Sequence, residues 1–302
     1  HSIEMVVGRD SGRIEDFCSS YDVAEGSTDL LSLAGAVDAA YIAVPHIGHC
    51  SSTIPLLEAS VPVLCEKPLA VNESEVSKMI RTAESTQTFL MEAMWTRHLP
   101  VYEKVLSWVK EGKIGEVVLV EASFGFNAPY VPESRLWNPD LAGGSLLDVG
   151  IYTLTLADLI YGSRPEEFSA KAELSPEGID KHLGVVAKYP NGGLARLGSA
   201  INAAIGFSGR VIGTEGMFEI PFFWQAEKAT LTSSSSSEDV SIPHDVNGFE
   251  YQIREVQRCL ESGAVESDVV PWSWSLSMSR LMDEIRSEIG VIYPADKESE
   301  NG

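Results

Sequence analysis

Short apolar runs alternate with helix-like segments through the first third of the chain, and that rhythm leaves few folds open. Residues 3–7 (IEMVV), 38–44 (DAAYIAV), 61–66 (VPVLCE) and 88–92 (TFLME) read as buried strands. Between them, 12–20, 28–34, 51–59 and 72–85 carry helical patterns. Asn72 followed by Glu75 has the form of a capping box, in which each side chain satisfies a free backbone N–H of the first turn. Strands joined through helices pair in parallel, so the pattern predicts βαβ units.

After about residue 93 the rhythm changes. A helix at 102–111 leads into a strand at 115–126, and a helix at 146–161 precedes strands at 166–174, 182–190, 192–202, 207–214 and 216–222. Short turns such as Pro190-Asn191-Gly192-Gly193 favour an antiparallel or mixed sheet. The serine-rich stretch 233–239 reads as a solvated loop, and helices at 249–260 and 272–289 close the chain. A chain of 302 residues, 44% hydrophobic, has enough apolar material for two such units.

The formal net charge of −22 repels nucleic acid and anionic lipid, so neither is expected as a partner. Any phosphate site has to be built locally from a few Arg, Lys and backbone N–H groups. No apolar run reaches about 18 residues, so no membrane span is expected. Cys18, Cys50, Cys65 and Cys259 form no C-x-x-C pair, which points away from a disulfide framework and towards a reducing cytoplasm. The first residue is His1 and no leader-like segment follows, so the chain reads as cut at its start.

Three constellations carry possible chemistry. In VLCEKPLA (63–70) a buried strand runs straight into Glu66-Lys67-Pro68. Doubly wound sheets place ligands at the carboxyl ends of their strands, so charge at that point marks either a solvent exit or a site. In GGSLLDVGIYTLTLADLIYG (143–162), Asp148 and Tyr152 are four apart on one helix face, with Gly150 between them. They form either a proton-transfer pair or a first-turn acid beside a packed phenol. Gly8-Arg9-Asp10 follows the first strand, with Arg13 one turn on; a guanidinium there suits a ribose 2′-phosphate and an acid suits the 2′-hydroxyl. His46 and His49 are spaced by three, but only Cys50 stands near to complete a ligand set, so no metal is expected.

Taken in order, AAYIAVPHIGH, VLCEKPLAVNESE, FLMEAMWTR, GKIGEV, GGSLLDVGIYTL, VIGTEG and IGVIYPAD resemble the Gfo/Idh/MocA family of oxidoreductases over almost the whole chain. The nearest likeness is to its branch of sugar and dihydrodiol dehydrogenases. The resemblance implies an α/β fold: a Rossmann-type parallel sheet domain over 1–95, and an α+β domain with an open, mainly antiparallel sheet over 96–302. It also implies a first βα unit with a Gly-x-Gly-x-x-Gly turn, and that spacing occurs nowhere here.

Catalytic roles are implied for Lys67, Asp148 and Tyr152. Tyr152 would be the acid/base, Lys67 would depress its pKa from about 10, and Asp148 would orient Lys67 and bind a substrate hydroxyl. The Lys67–Pro68 bond is expected to be cis. The implied cofactor is NADP, with NAD possible, held by Arg9, Arg13, Val44, Pro45, His49, Glu66, Lys67, Pro68, Trp95 and Arg97. Trp137, Asp148 and Tyr152 would contact a sugar such as D-xylose or a vicinal trans-dihydrodiol. A homodimer through the open sheet is also implied. His98 departs from the family, where an aromatic usually follows WTR. Two rival readings are a non-catalytic dinucleotide-binding regulator and an inactive truncated paralogue.

Overall fold

The computed structural model describes residues 2–234 and 237–299. β1 (Met5–Val7) leads through α1 (Ser11–Tyr21) to β2 (Glu25–Ser27), and the two strands pair in parallel. Asp10 caps α1 by accepting the Arg13 backbone N–H at 3.0 Å. No apolar pattern marks β2, whose residues are Glu25, Gly26 and Ser27. The helix expected at 28–34 is a single 3₁₀ turn, Leu30–Leu33, capped by Asp29.

A second parallel sheet, in the order β3-β4-β5, is built from β3 (Ala40–Ile42), β4 (Val63–Glu66) and β5 (Leu90–Ala93). The connecting helices are α2 (His49–Glu58) and α3 (Glu73–Thr86). All of β5 and the first three residues of β4 are buried, as strands covered on both faces require. Asn72 caps α3 through the Glu75 N–H at 3.0 Å, while Glu75 reaches back one residue further than a capping box, to the Val71 N–H.

α4 (Pro100–Lys110) leads into β6 (Val117–Asn127). A π-helical turn, Leu146–Gly150, then runs into α5 (Ile151–Tyr161). Eight further strands follow: β7 (Glu167–Leu174), β8 (Asp180–Lys188), β9 (Leu194–Ala200), β10 (Asn202–Gly206), β11 (Ser208–Gly213), β12 (Gly216–Pro221), β13 (Lys228–Ser233) and β14 (Ser237–Ser241). With β6 they form one sheet of order β14-β13-β12-β11-β6-β9-β8-β7, and β10 pairs with the end of β6. Only the β6–β9 pair is parallel. The expected loop at 233–239 is thus corrected in part: Ser237 onwards pairs with β13, while Ser235 and Ser236 lie outside the described residues. Ala229 and Leu231 alternate inward between polar residues, which is enough for an edge hairpin despite low apolar content. The strand expected at 192–202 breaks at Ile201, so that β10 can turn onto β6.

The chain closes with α6 (Phe249–Ser262), α7 (Trp272–Ile289) and α8 (Pro294–Ser299). α7 returns to the parallel sheet. Its Trp272 indole donates to the Leu90 carbonyl at 2.9 Å, and Asp283 accepts the Glu73 N–H at the start of α3 at 2.8 Å. Arg286, 3% exposed, pairs with Asp283 and Asp296 at 2.6 Å each. Among the described residues one helical stretch, Pro139–Tyr161, is long and apolar enough to cross a membrane. It is 89% buried inside the protein, against the large sheet.

Candidate active site

β4 ends at Glu66, and the next residue, Lys67, points towards the helical segment from the other half of the chain. The Lys67–Pro68 peptide is cis. Lys67 Nζ donates to the Asp148 backbone carbonyl at 2.6 Å and stands 3.8 Å from Asp148 Oδ1. The same ammonium lies 5.1 Å from the centre of the Tyr152 ring. Trp95, just beyond β5, donates its indole N–H to the Tyr152 hydroxyl at 3.2 Å. The three residues assigned to catalysis therefore meet, although Lys67 and Asp148 are 81 positions apart.

Asp148 sits in the π turn rather than in a regular helix, which corrects the expected 146–161 helix. The turn is set from outside: buried Asp180 of β8 accepts the Leu146 N–H at 2.7 Å and the Ser145 hydroxyl at 2.8 Å. Gly150 lies against β9, where a Cβ would come within 3.0 Å of Ser199 Oγ. The room it leaves is therefore taken by the sheet.

Burial works against the Lys67 ammonium, but the Tyr152, Asp148 and Glu66 charges outweigh it and raise its pKa above the ordinary value. Burial also opposes the Asp148 carboxylate, yet Lys67 and Arg135 hold its pKa below the ordinary range. Tyr152 goes the other way from expectation. Burial raises its pKa, and Lys67 and the Trp95 N–H only partly offset this while Glu66 and Asp148 add to it. Losing water around a phenolate costs more than one neighbouring ammonium returns.

The strand ends contribute the remaining groups. Tyr41 of β3 donates to the Glu66 carboxylate, which also accepts the Lys67 backbone N–H at 3.1 Å. His49 sits between the Pro68 carbonyl, at 2.8 Å, and the Val44 carbonyl, at 3.0 Å, with its pKa lowered by burial. His46 lies 3.1 Å from the Ala142 carbonyl, and burial together with Lys67 pushes its pKa down to about 3. His46 is thus neutral, and each imidazole stands within hydrogen-bond distance of backbone carbonyl oxygen. Among the described residues no cluster of three or more His, Cys, Asp or Glu is arranged for a metal.

Other expected contacts fall away from this centre. Arg97 donates to the Val269 carbonyl at 2.9 Å and to Asp158 at 2.7 Å, and stacks on Trp274, so it acts as a strut between α5 and α7. Trp137 is buried, with its N–H on the Pro129 carbonyl. Arg9, just after β1, and Arg13, in the first turn of α1, are exposed, with no side-chain partner among the described residues. His98 is pushed down to about 4 by burial.

Sequence reasoning missed an aromatic wall beside the phenol. Phe124 of β6 lies 5.7 Å from the Tyr152 ring and stacks on Trp224 at 4.0 Å, while Phe249 stacks on Trp95 at 4.4 Å. Arg135, which donates to Asp148 Oδ1 at 2.7 Å, was also missed. These residues come from separate segments, and no spacing links them.

The fold is that of a Rossmann-type oxidoreductase. Residues 1–94 match the oxidoreductase family with an NAD-binding Rossmann fold, and residues 102–219 match the GFO/IDH/MocA C-terminal domain. The chain is 34% identical over 310 residues to trans-1,2-dihydrobenzene-1,2-diol dehydrogenase of Mus musculus, covering 98% of this chain and 91% of that protein. With the same enzyme of Homo sapiens it shares 33% over 307 residues, at 98% and 91% coverage. A 3-ketoreductase from Actinomadura kijaniata, solved with NADP and TDP-benzene, superposes with a TM-score of 0.87 at 23% identity, over 97% of this chain and 91% of that one. An aldose-aldose oxidoreductase from Caulobacter crescentus gives a TM-score of 0.86 at 22% identity, over 95% and 89%. At such identity the two structures speak for fold alone. The chain belongs to the Gfo/Idh/MocA family.

Buried Glu92 supports the turn beneath Lys67 by accepting the Leu69 N–H at 3.0 Å. Burial raises its pKa from 4.5 to about 7. Between those values the folded state keeps a proton that the unfolded chain has lost, so stability falls as pH rises through that window and is level above it. The loss amounts to about 3 kcal/mol. Glu92→Gln should remove it, so urea unfolding at pH 5 and pH 8 should differ less for the variant than for the parent. Equal differences would show that Glu92 does not titrate there.

Proposed function

We propose that the protein is an NADP-dependent dehydrogenase that oxidises a CH–OH group of a sugar such as D-xylose, or of a vicinal trans-dihydrodiol. The observation that carries this reading is the Tyr152 hydroxyl, which accepts from the Trp95 N–H beside a fixed ammonium and so keeps its own proton free for exchange. For oxidation Tyr152 must first release its proton to solvent, against the upward pull of burial on its pKa, and the phenolate so formed takes the proton of the substrate hydroxyl. Lys67 stays cationic and stabilises that phenolate, and Asp148 holds Lys67 through its carbonyl. Asp148 Oδ2 is left for a second substrate hydroxyl, and the aromatic wall supplies a face for the sugar or diol ring.

The residues present fit the ends of a dinucleotide. Arg9 and Arg13 offer unpartnered guanidinium groups for a 2′-phosphate, whereas Asp10 is engaged in capping α1. Val44, Pro45, His49, Glu66, Lys67, Pro68 and Trp95 line the strand ends where the nicotinamide side would be held. Bound there, the oxidised nicotinamide would accept a hydride from the carbinol carbon. The cofactor side is assigned to residues 1–95 and the substrate side to 96–302.

Tyr152→Phe should lower kcat on xylose and on a trans-dihydrodiol by about 10²–10⁴-fold while leaving the NADP Kd unchanged. Near-full kcat with the same pH profile would make Tyr152 structural and sink the mechanism. Arg9→Ala should raise the KM for NADP far more than that for NAD; equal effects would remove Arg9 from cofactor selection.

A homodimer through the open face of the large sheet is part of the same reading. Val186 and Leu194 are exposed on the face where Glu121 sits between Arg196 and Arg210. Sedimentation equilibrium should give a dimer, and Val186→Asp with Leu194→Asp should give a monomer. A monomeric parent protein would end this part of the reading.

A further inference from the structure

We propose that Arg135 is a positioning residue for the proton-transfer group: it holds the Asp148 carboxylate and offsets its charge, so that Lys67 acts on Tyr152 undiminished. This rests on the reading of Tyr152 as proton acceptor.

The geometry points to a shared oxygen. Arg135 Nη1 is 2.7 Å from Asp148 Oδ1, while Lys67 Nζ is 3.8 Å from the same atom and takes the backbone carbonyl instead, at 2.6 Å. The better contact with the carboxylate is therefore the arginine's. The groups acting on the Tyr152 phenol are Lys67 and Glu66 from the end of β4, Asp148 from its own helical segment, the Trp95 indole after β5 and the Tyr41 phenol of β3. His46 also faces Asp148, as a neutral imidazole. Burial already disfavours a phenolate at Tyr152; without Arg135, two carboxylates would stand against one ammonium and disfavour it further. With Arg135 the charges balance.

The local fold is built to deliver this side chain. Arg135 lies in the loop between β6 and the π turn, and that loop is closed on itself. The Gly144 N–H donates to the Leu136 carbonyl and the Gly143 N–H to the Asn138 carbonyl, both at 3.0 Å. A Cβ on Gly143 would lie 2.6 Å from the Leu136 carbonyl oxygen and 2.9 Å from that of Arg135, so only glycine lets the loop fold back this closely. The Arg135 side chain is 56% exposed and that of Asp148 9%, so the charge reaches the buried acid from the solvent side. Its effect is therefore open to screening by salt.

The test reads the phenol directly. A fluorinated tyrosine of lower intrinsic pKa is placed at position 152, and its titration is followed by fluorine NMR without cofactor. Arg135→Gln should raise the midpoint by about half a unit to one unit, and Arg135→Lys should keep most of the original value. At about 1 M salt, where the Debye length is about 3 Å, the gap between the parent and Arg135→Gln should narrow. With the natural Tyr152, the acid limb of the kcat profile should move up by the same amount in Arg135→Gln. An arginine that only latched the loop would lower kcat or stability evenly across pH. A midpoint that is unchanged or lowered in Arg135→Gln overturns the proposal, as does an equal shift in Arg135→Lys. If the midpoint shifts as expected but Tyr152→Phe keeps full turnover, the electrostatic role of Arg135 stands and the proton-transfer reading of Tyr152 is what fails.

Discussion

The contact between Lys67 and Asp148 joins the two halves of this protein at the point where chemistry is proposed. An ammonium at the end of a short parallel strand has left water and needs a partner. It finds one in a helical segment that enters from the far side of the chain, through a backbone carbonyl at 2.6 Å and a carboxylate at 3.8 Å. A buried charge tolerates little displacement once its partner is set, because a lone partner would be left unpaired. The depth of β4 in its sheet, the π turn and its anchorage on Asp180 all serve to keep that distance.

Several other ties act in the same direction. α7 belongs to the second half of the sequence, yet it caps α3 through Asp283 and bonds β5 through Trp272. Arg97 links α5 to the segment before α7 through Asp158 and Val269. Neither tie touches the phenol. Both restrain the surfaces on which Lys67 and Tyr152 are mounted, which is what a site assembled across two sheets requires.

The electrostatics of the centre are a contest between burial and charge. Lys67 wins against burial because three anionic or ionisable oxygens surround it. Tyr152 loses, because burial outweighs what Lys67 and the Trp95 N–H return, and the Glu66 and Asp148 carboxylates add to it. The same low-dielectric surroundings that strengthen each pairing make each uncompensated charge expensive. An aromatic wall of Phe124, Trp224, Trp95 and Phe249 sharpens this by keeping polar neighbours few.

Much of this was readable in the chain. The strands and most of the helices of the first third, the Asn72 cap and the strand running into Glu66-Lys67-Pro68 are local properties and appear where they were expected, whereas the helix expected at 28–34 is a 3₁₀ turn and Asp148 stands in a π turn ahead of the helix that carries Tyr152. Local signals failed where the structure depends on partners distant in sequence. β2 and the β13–β14 hairpin have little apolar content of their own and exist because a neighbouring strand pairs with them. The π turn is shaped by Asp180 and Ser199, and no five-residue pattern distinguishes it from an α-helix. Arg97 was read as a ligand contact, and no local spacing showed that Asp158 and Val269 would take its donors. The direction of the Tyr152 shift depends on how much water is lost around it. The residue types and their spacing along the chain decided which groups can do chemistry. Only tertiary packing decided which of them meet and with what charge, since burial and through-space distance have no counterpart in linear order.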